Sequence, residues 1–84
     1  MEWADFTTDI QKSIENNEDL KPEEKKLFKN EIDGIIKLAD NKAQAIDYIK
    51  KALEAQNEIE DKGVKAFMTN AYTKLLNDVL GVDQ

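Results

Sequence analysis

Residues 64–80 read VKAFMTNAYTKLLNDVL. Val64, Phe67, Met68, Ala71, Tyr72, Leu75, Leu76, Val79 and Leu80 fall at steps of three and four, the period of an α-helix with one apolar side. The stripe is too wide for one neighbour to cover. It needs packing partners on two sides, which a bundle supplies. Gly81 follows at once and is placed to terminate the helix.

Working back from this helix, Ala45, Ile46, Ile49, Ala52 and Leu53 carry the same period, with Tyr48 flanking the stripe. Gln56 interrupts the apolar face and reads as a residue at the edge of the core or near a bundle end. Ile59 resumes the face. The small residues Ala45 and Ala52 predict close packing against a neighbour. Gly63 either closes this helix or kinks it into the next.

Further upstream, Leu27, Phe28, Ile32, Ile35, Ile36 and Ala39 form the apolar side of a helix that starts at Pro22. Proline suits the first helical position, where its missing N–H costs nothing, and Glu23 and Glu24 suit the first turn. Lys21 stands where Ser, Thr or Asp would normally cap, which predicts a weaker start. Gly34 inside the helix costs about 1 kcal/mol against alanine and reads as the mark of a close helix crossing. Asp40-Asn41 breaks the pattern and can cap the next helix. At the front of the chain, Trp3, Phe6, Ile10 and Ile14 mark one more helix, ending at Asn16-Asn17.

The expectation is therefore an all-α single domain over 1–84, an antiparallel up-down-up-down four-helix bundle with helices at about 2–16, 22–39, 41–60 and 64–80. Connections this short set successive helices antiparallel. The alternative joins the last two helices into one, kinked at Gly63. Asp33 with Lys37, Asp47 with Lys51 and Glu58 with Lys62 are acid-then-base pairs four apart, which support helix on exposed faces.

Composition removes several classes of function. The 84 residues include no cysteine and no histidine, and all 12 basic residues are lysine. Disulfides, thiolate metal sites, imidazole bases and arginine forks are therefore excluded. Ser13 is the sole serine, the three glycines are isolated, and no calcium-loop pattern follows Asn16-Asn17-Glu18-Asp19. The Asp-Ser-Leu-like attachment motif of acyl carrier proteins is missing, since Ser13 lies in Gln-Lys-Ser-Ile. No enzyme chemistry, cofactor or metal is expected. A net charge of −6 argues against direct nucleic-acid binding and against anionic membranes. No stretch reaches the length and hydropathy of a membrane span, and the acidic start lacks the pattern of a signal peptide, so a cytoplasmic protein is expected. Composition sets no oligomeric state.

The charge is uneven. Residues 1–20 carry six acids and one lysine, residues 43–62 carry five acids and three lysines, and the remainder is close to balanced. In a strictly antiparallel bundle the ends of helices 1 and 3 share a pole. Glu15, Glu18 and Asp19 would there meet Glu54, Glu58, Glu60 and Asp61, against the sign that helix ends prefer. Departures from a local rule are candidates for function. These seven acids, with Tyr48 as an aromatic anchor, form the expected partner-binding surface, and the partner is expected to be a basic protein. Trp3 begins the first stripe and is expected in the core.

Asp19-Leu20-Lys21-Pro22-Glu23-Glu24-Lys25 and Lys50-Lys51-Ala52-Leu53, within a chain of this length and helical pattern, resemble the immunity proteins of pediocin-like (class IIa) bacteriocins. The resemblance implies a cytoplasmic four-helix bundle that protects without catalysis, through a membrane receptor complex. Many members of that family are basic, whereas this chain is acidic, and they carry a longer segment after the last helix than Val82-Asp83-Gln84. The functional expectation is a non-catalytic protein-binding module of inhibitor or immunity type. The alternative is an assembly module that self-associates through the fourth helix.

Overall fold

A computed structural model of the chain describes residues 2–80, and the side chains of residues 3–79. Four helices form an all-α bundle: α1 (Glu2–Glu15), α2 (Pro22–Leu38), α3 (Lys42–Ala55) and α4 (Lys62–Leu80). A short 3-10 turn, Gln56–Glu58, follows α3. Gly81, expected to end α4, lies outside the described residues.

The helix starts follow from local chemistry. Lys21 offers no side-chain acceptor, yet its own amide donates to Glu24 Oε1 at 2.9 Å. Glu24 thus supplies the reciprocal half of a capping box, and Pro22 presets the first helical φ. Asn41 caps α3, its Oδ1 accepting from the Gln44 amide at 2.8 Å. Gln44 Oε1 accepts in turn from the Asp40 amide. Asp61 Oδ1 accepts from the Val64 amide at 3.0 Å, so Asp61 caps α4. Gly63 therefore sits in the first turn of α4 and neither kinks nor closes a helix. A Cβ there would stand 3.3 Å from the capping Asp61 oxygen.

The third helix ends earlier than its expected limit at residue 60. Gln56 folds back, with Nε2 donating to the Ala52 carbonyl at 2.8 Å, and Ile59 adopts an extended conformation that redirects the chain. Gln56 is buried, and its Oε1 has no hydrogen-bond partner. An acceptor withdrawn from water without compensation costs about 1–3 kcal/mol. The break separates α3 from α4, which excludes the single kinked helix. It also prevents Glu58 and Lys62 from facing each other across one helical turn. Among the described residues the ion pairs are Asp47–Lys51 at 3.1 Å and Lys74–Asp78 at 3.2 Å, so Asp33 and Lys37 do not pair.

The core draws on all four helices and the first loop: Phe6, Ile10, Ile14, Leu20, Phe28, Ile32, Ala45, Ile49, Met68, Ala71, Tyr72 and Leu75 are buried. Tyr72 and Phe28 meet edge to face, with ring centroids 4.8 Å apart. Trp3 and Tyr48 pack against this core and are half-buried. Asn17 is buried in the first loop, where its Oδ1 accepts from the Asp19 amide at 3.0 Å and helps seat Leu20 in the core.

Two expectations about α2 are corrected. Leu27 is 52 % exposed and does not join the core. Phe28, Ile32, Ile35 and Ala39 already occupy the inward face, and Leu27 lies about 100° away from Phe28. Gly34 is not at a helix crossing: no other part of the fold comes within 4 Å of where its Cβ would stand.

Each helix packs on its neighbours in sequence, and α1 also packs on α4. The turn between α1 and α2 is clasped by Lys25 Nζ donating to the Glu15 carbonyl at 2.8 Å. One long-range contact departs from a strict up-down-up-down ring. Ser13 Oγ donates to Asp78 Oδ2 at 2.7 Å, joining the last turns of α1 and α4. An ideal ring would set the end of α1 beside the start of α4.

Candidate interaction surfaces

That contact decides the arrangement of the expected acidic residues. Glu15, Glu18 and Asp19 are exposed at the end of α1 and in the following loop. Glu54, Glu58, Glu60 and Asp61 are exposed at the end of α3 and on the way into α4. From Asp61 to Asp78 the chain advances about 25 Å along α4, at 1.5 Å per residue. Asp78 is bonded to Ser13, two residues before Glu15. The 3-10 turn that carries Glu58 packs on α3 and α4 and touches neither α1 nor α2.

The seven acids therefore do not form one pole. They form two groups separated by most of the length of α4, well beyond the roughly 8 Å screening length at physiological salt. The expectation failed because charge counting treats helix ends as equivalent, whereas the pole depends on which end of α4 meets α1. Tyr48, the expected aromatic anchor, belongs to neither group: it is half-buried along α3.

Asp61 has a local task as the cap of α4, and Asp19 closes a turn on Asn17. Glu15, Glu18, Glu54, Glu58 and Glu60 form no ion pair among the described residues. No group of three or more acids among the described residues is arranged to hold a metal ion.

Two surface grooves add chemistry. One, of about 410 Å³, lies between half-buried Trp3 and the start of α3 at Asp40, Asn41 and Lys42. Lys42 Nζ stands 5.6 Å above the Phe6 ring, within reach of its negative face. The other, of about 430 Å³, surrounds the Ser13–Asp78 bond with Asp9, Lys12, Asn16 and Lys74. Ser13 there is a buried donor to a carboxylate that also pairs with Lys74, so its proton is held in a structural bond. The shifted ionisation is inside the core. Burial, then the negative charge of Glu31, push the Tyr72 phenol from 10.0 up to about 12.

The large apolar side chains left most exposed are on α2, where Leu38 is 74 % exposed and Leu27 is 52 % exposed. The sequence pattern places Leu27 on the core-facing stripe and leaves Leu38 off it. The signal was present in the spacing: Leu27, Glu31, Gly34 and Leu38 recur at four, three and four, tracing a second stripe beside the core-facing one.

Among the described residues no helix is long and apolar enough to cross a membrane. Comparison with known proteins returned no match to a family model, a curated protein or a solved structure.

Proposed function

We propose that the chain is a non-catalytic protein-binding module whose partner is a basic protein. The observation that carries this reading is the state of its carboxylates. With a net charge of −6, only Asp47 and Asp78 engage in ion pairs among the described residues, and the rest of the described acids lack a basic side chain within pairing distance. A surface of this kind attracts positive partners, speeds their encounter and repels nucleic acid. The buried set of α4, from Met68 to Leu76, is consumed by the bundle's own core, which disfavours assembly through that helix. The cytoplasm is the compartment this reading assigns. Immunity proteins of the pediocin-like bacteriocins remain a family that would accommodate it, although a four-helix architecture does not by itself assign a function.

A tagged chain tests the proposal by capture at low and high salt. Two variants accompany it, one with Glu15→Lys and Glu18→Lys, the other with Glu58→Lys and Glu60→Lys. Retention of one basic protein at low salt, its loss at high salt and its weakening by charge reversal support the reading. Retention indifferent to salt and to both reversals overturns it.

A further inference from the structure

We infer that the outward face of α2 is a docking surface for a basic amphipathic helix, with Leu27 and Leu38 as apolar anchors and Gly34 as the notch between them. The inference rests on the preceding reading of a basic partner and specifies where that partner sits. Three residues on this face have no explanation inside the fold. Leu27 and Leu38 are the large hydrophobic residues left exposed. Gly34 lies in the middle of a 17-residue helix, where glycine is unfavourable. No other part of the fold approaches its Cβ position within 4 Å, so internal packing does not require it.

These three unexplained residues share one stripe. At about 100° per residue, Leu27, Gly34 and Leu38 lie within about 40° of one another. A glycine between two large anchors leaves a depression in which a second helix backbone can approach closely.

Charge selects the occupant. Glu23, Glu24 and Glu31 flank the stripe within about 60° of Leu27, and no lysine falls inside that arc. The nearest lysines, Lys37 and Lys26, stand about 80–100° away on the side opposite the core. A second copy of the same face brings no excess of positive charge to meet Glu23, Glu24 and Glu31. A helix with leucines at matching steps, lysine on its flanks and a small residue facing Gly34 satisfies both the apolar and the charged elements, by the helix-on-groove mode of recognition.

The test uses the full chain and a synthetic peptide of roughly 18 residues built from Leu, Ala and Lys in that pattern, beside a scrambled peptide of equal charge. Amide-correlation NMR of the labelled chain maps the contact, and anisotropy of the labelled peptide gives affinity. The expected result is perturbation concentrated at Leu27, Glu31, Gly34 and Leu38, with the patterned peptide binding more tightly than its scramble. The pair Leu27→Ala with Leu38→Ala is expected to weaken binding about tenfold. Gly34→Leu, whose Cβ meets no other part of the fold within 4 Å, is expected to do the same, with unchanged circular dichroism checking that the helix content is kept. Equal binding of both peptides, with perturbation at Glu15 and Glu18 or at Glu58 and Glu60, overturns this surface and leaves a basic partner standing. No binding of either peptide at low salt overturns both.

Discussion

Ser13 and Asp78 lie 65 residues apart in sequence and share a 2.7 Å hydrogen bond that ties the last turn of α1 to the last turn of α4. The hydroxyl is buried, while the carboxylate is partly exposed and also paired with Lys74. The bond marks how the first and last helices pack, and with that packing where the charged ends of the bundle fall.

Replacing either partner should therefore loosen the junction. Ser13→Ala is expected to cost about 1 kcal/mol, below the roughly 1.5–3 kcal/mol range for bonds to charged groups because Asp78 retains solvent and Lys74. A double-mutant cycle with Asp78→Ala, read from urea unfolding, should return a coupling of similar size. A coupling near zero would show that the bond does not hold the two helices together.

Ile32 and Leu38 occupy the same helix with opposite consequences. Ile32 is 0 % exposed and Leu38 is 74 % exposed. Ile32→Ala is expected to cost about 3–4 kcal/mol, which approaches the whole stability of a chain this small. Leu38→Ala should change stability by less than about 0.5 kcal/mol. Denaturant midpoints of the two variants check the contrast.

Gly34→Ala should make the protein more stable. The new Cβ meets open space, and the substitution exchanges the poorest ordinary helix residue for the best. A gain of about 0.5–1 kcal/mol is expected, which for a domain of this size raises the melting temperature by about 2–8 °C. Calorimetry of the two proteins measures it. A loss of stability would mean that the backbone at this position is not ordinary helix.

Tyr72 gives the fold an alkaline limit. Its phenol is held protonated up to about 12 by burial and by Glu31, whereas an unfolded tyrosine titrates at 10.0. A group whose pKa is raised on folding contributes fully below the unfolded value and loses that contribution as the pH climbs towards the folded value. Stability should thus fall between pH 10 and about 12, and Tyr72→Phe should remove part of that fall. Unfolding midpoints across this window, with tyrosinate absorbance of a Tyr48→Phe variant reporting Tyr72 alone, provide the check.

Much of this architecture was legible one helix at a time. The apolar steps through Phe6, Ile10 and Ile14, and through Met68, Ala71, Tyr72 and Leu75, are short-range patterns that report directly on helix and on an inward face. Asn41 could be read as a cap for the same reason, since its partner Gln44 is three residues away. Leu27 departs from its apolar pattern because adjacent apolar residues on a helix compete for one core-facing position, and Phe28 holds it. The end of α3 was placed too late because Ile59 restores the apolar period after the backbone has left the helix at Ala55.

The candidate site divides along the same line. Net charge and the absence of histidine and cysteine are properties of the chain in any conformation, so the sequence alone determined them, whereas the separation of α3 from α4 was not among them. Whether two acidic groups share a pole, whether Gly34 is enclosed or open, and whether a leucine faces core or solvent are relations between segments far apart in sequence. Tertiary packing alone decided them, because helix-forming interactions reach only three or four residues along the chain, whereas the Ser13–Asp78 contact and the bare face of α2 depend on how whole helices come to rest against one another.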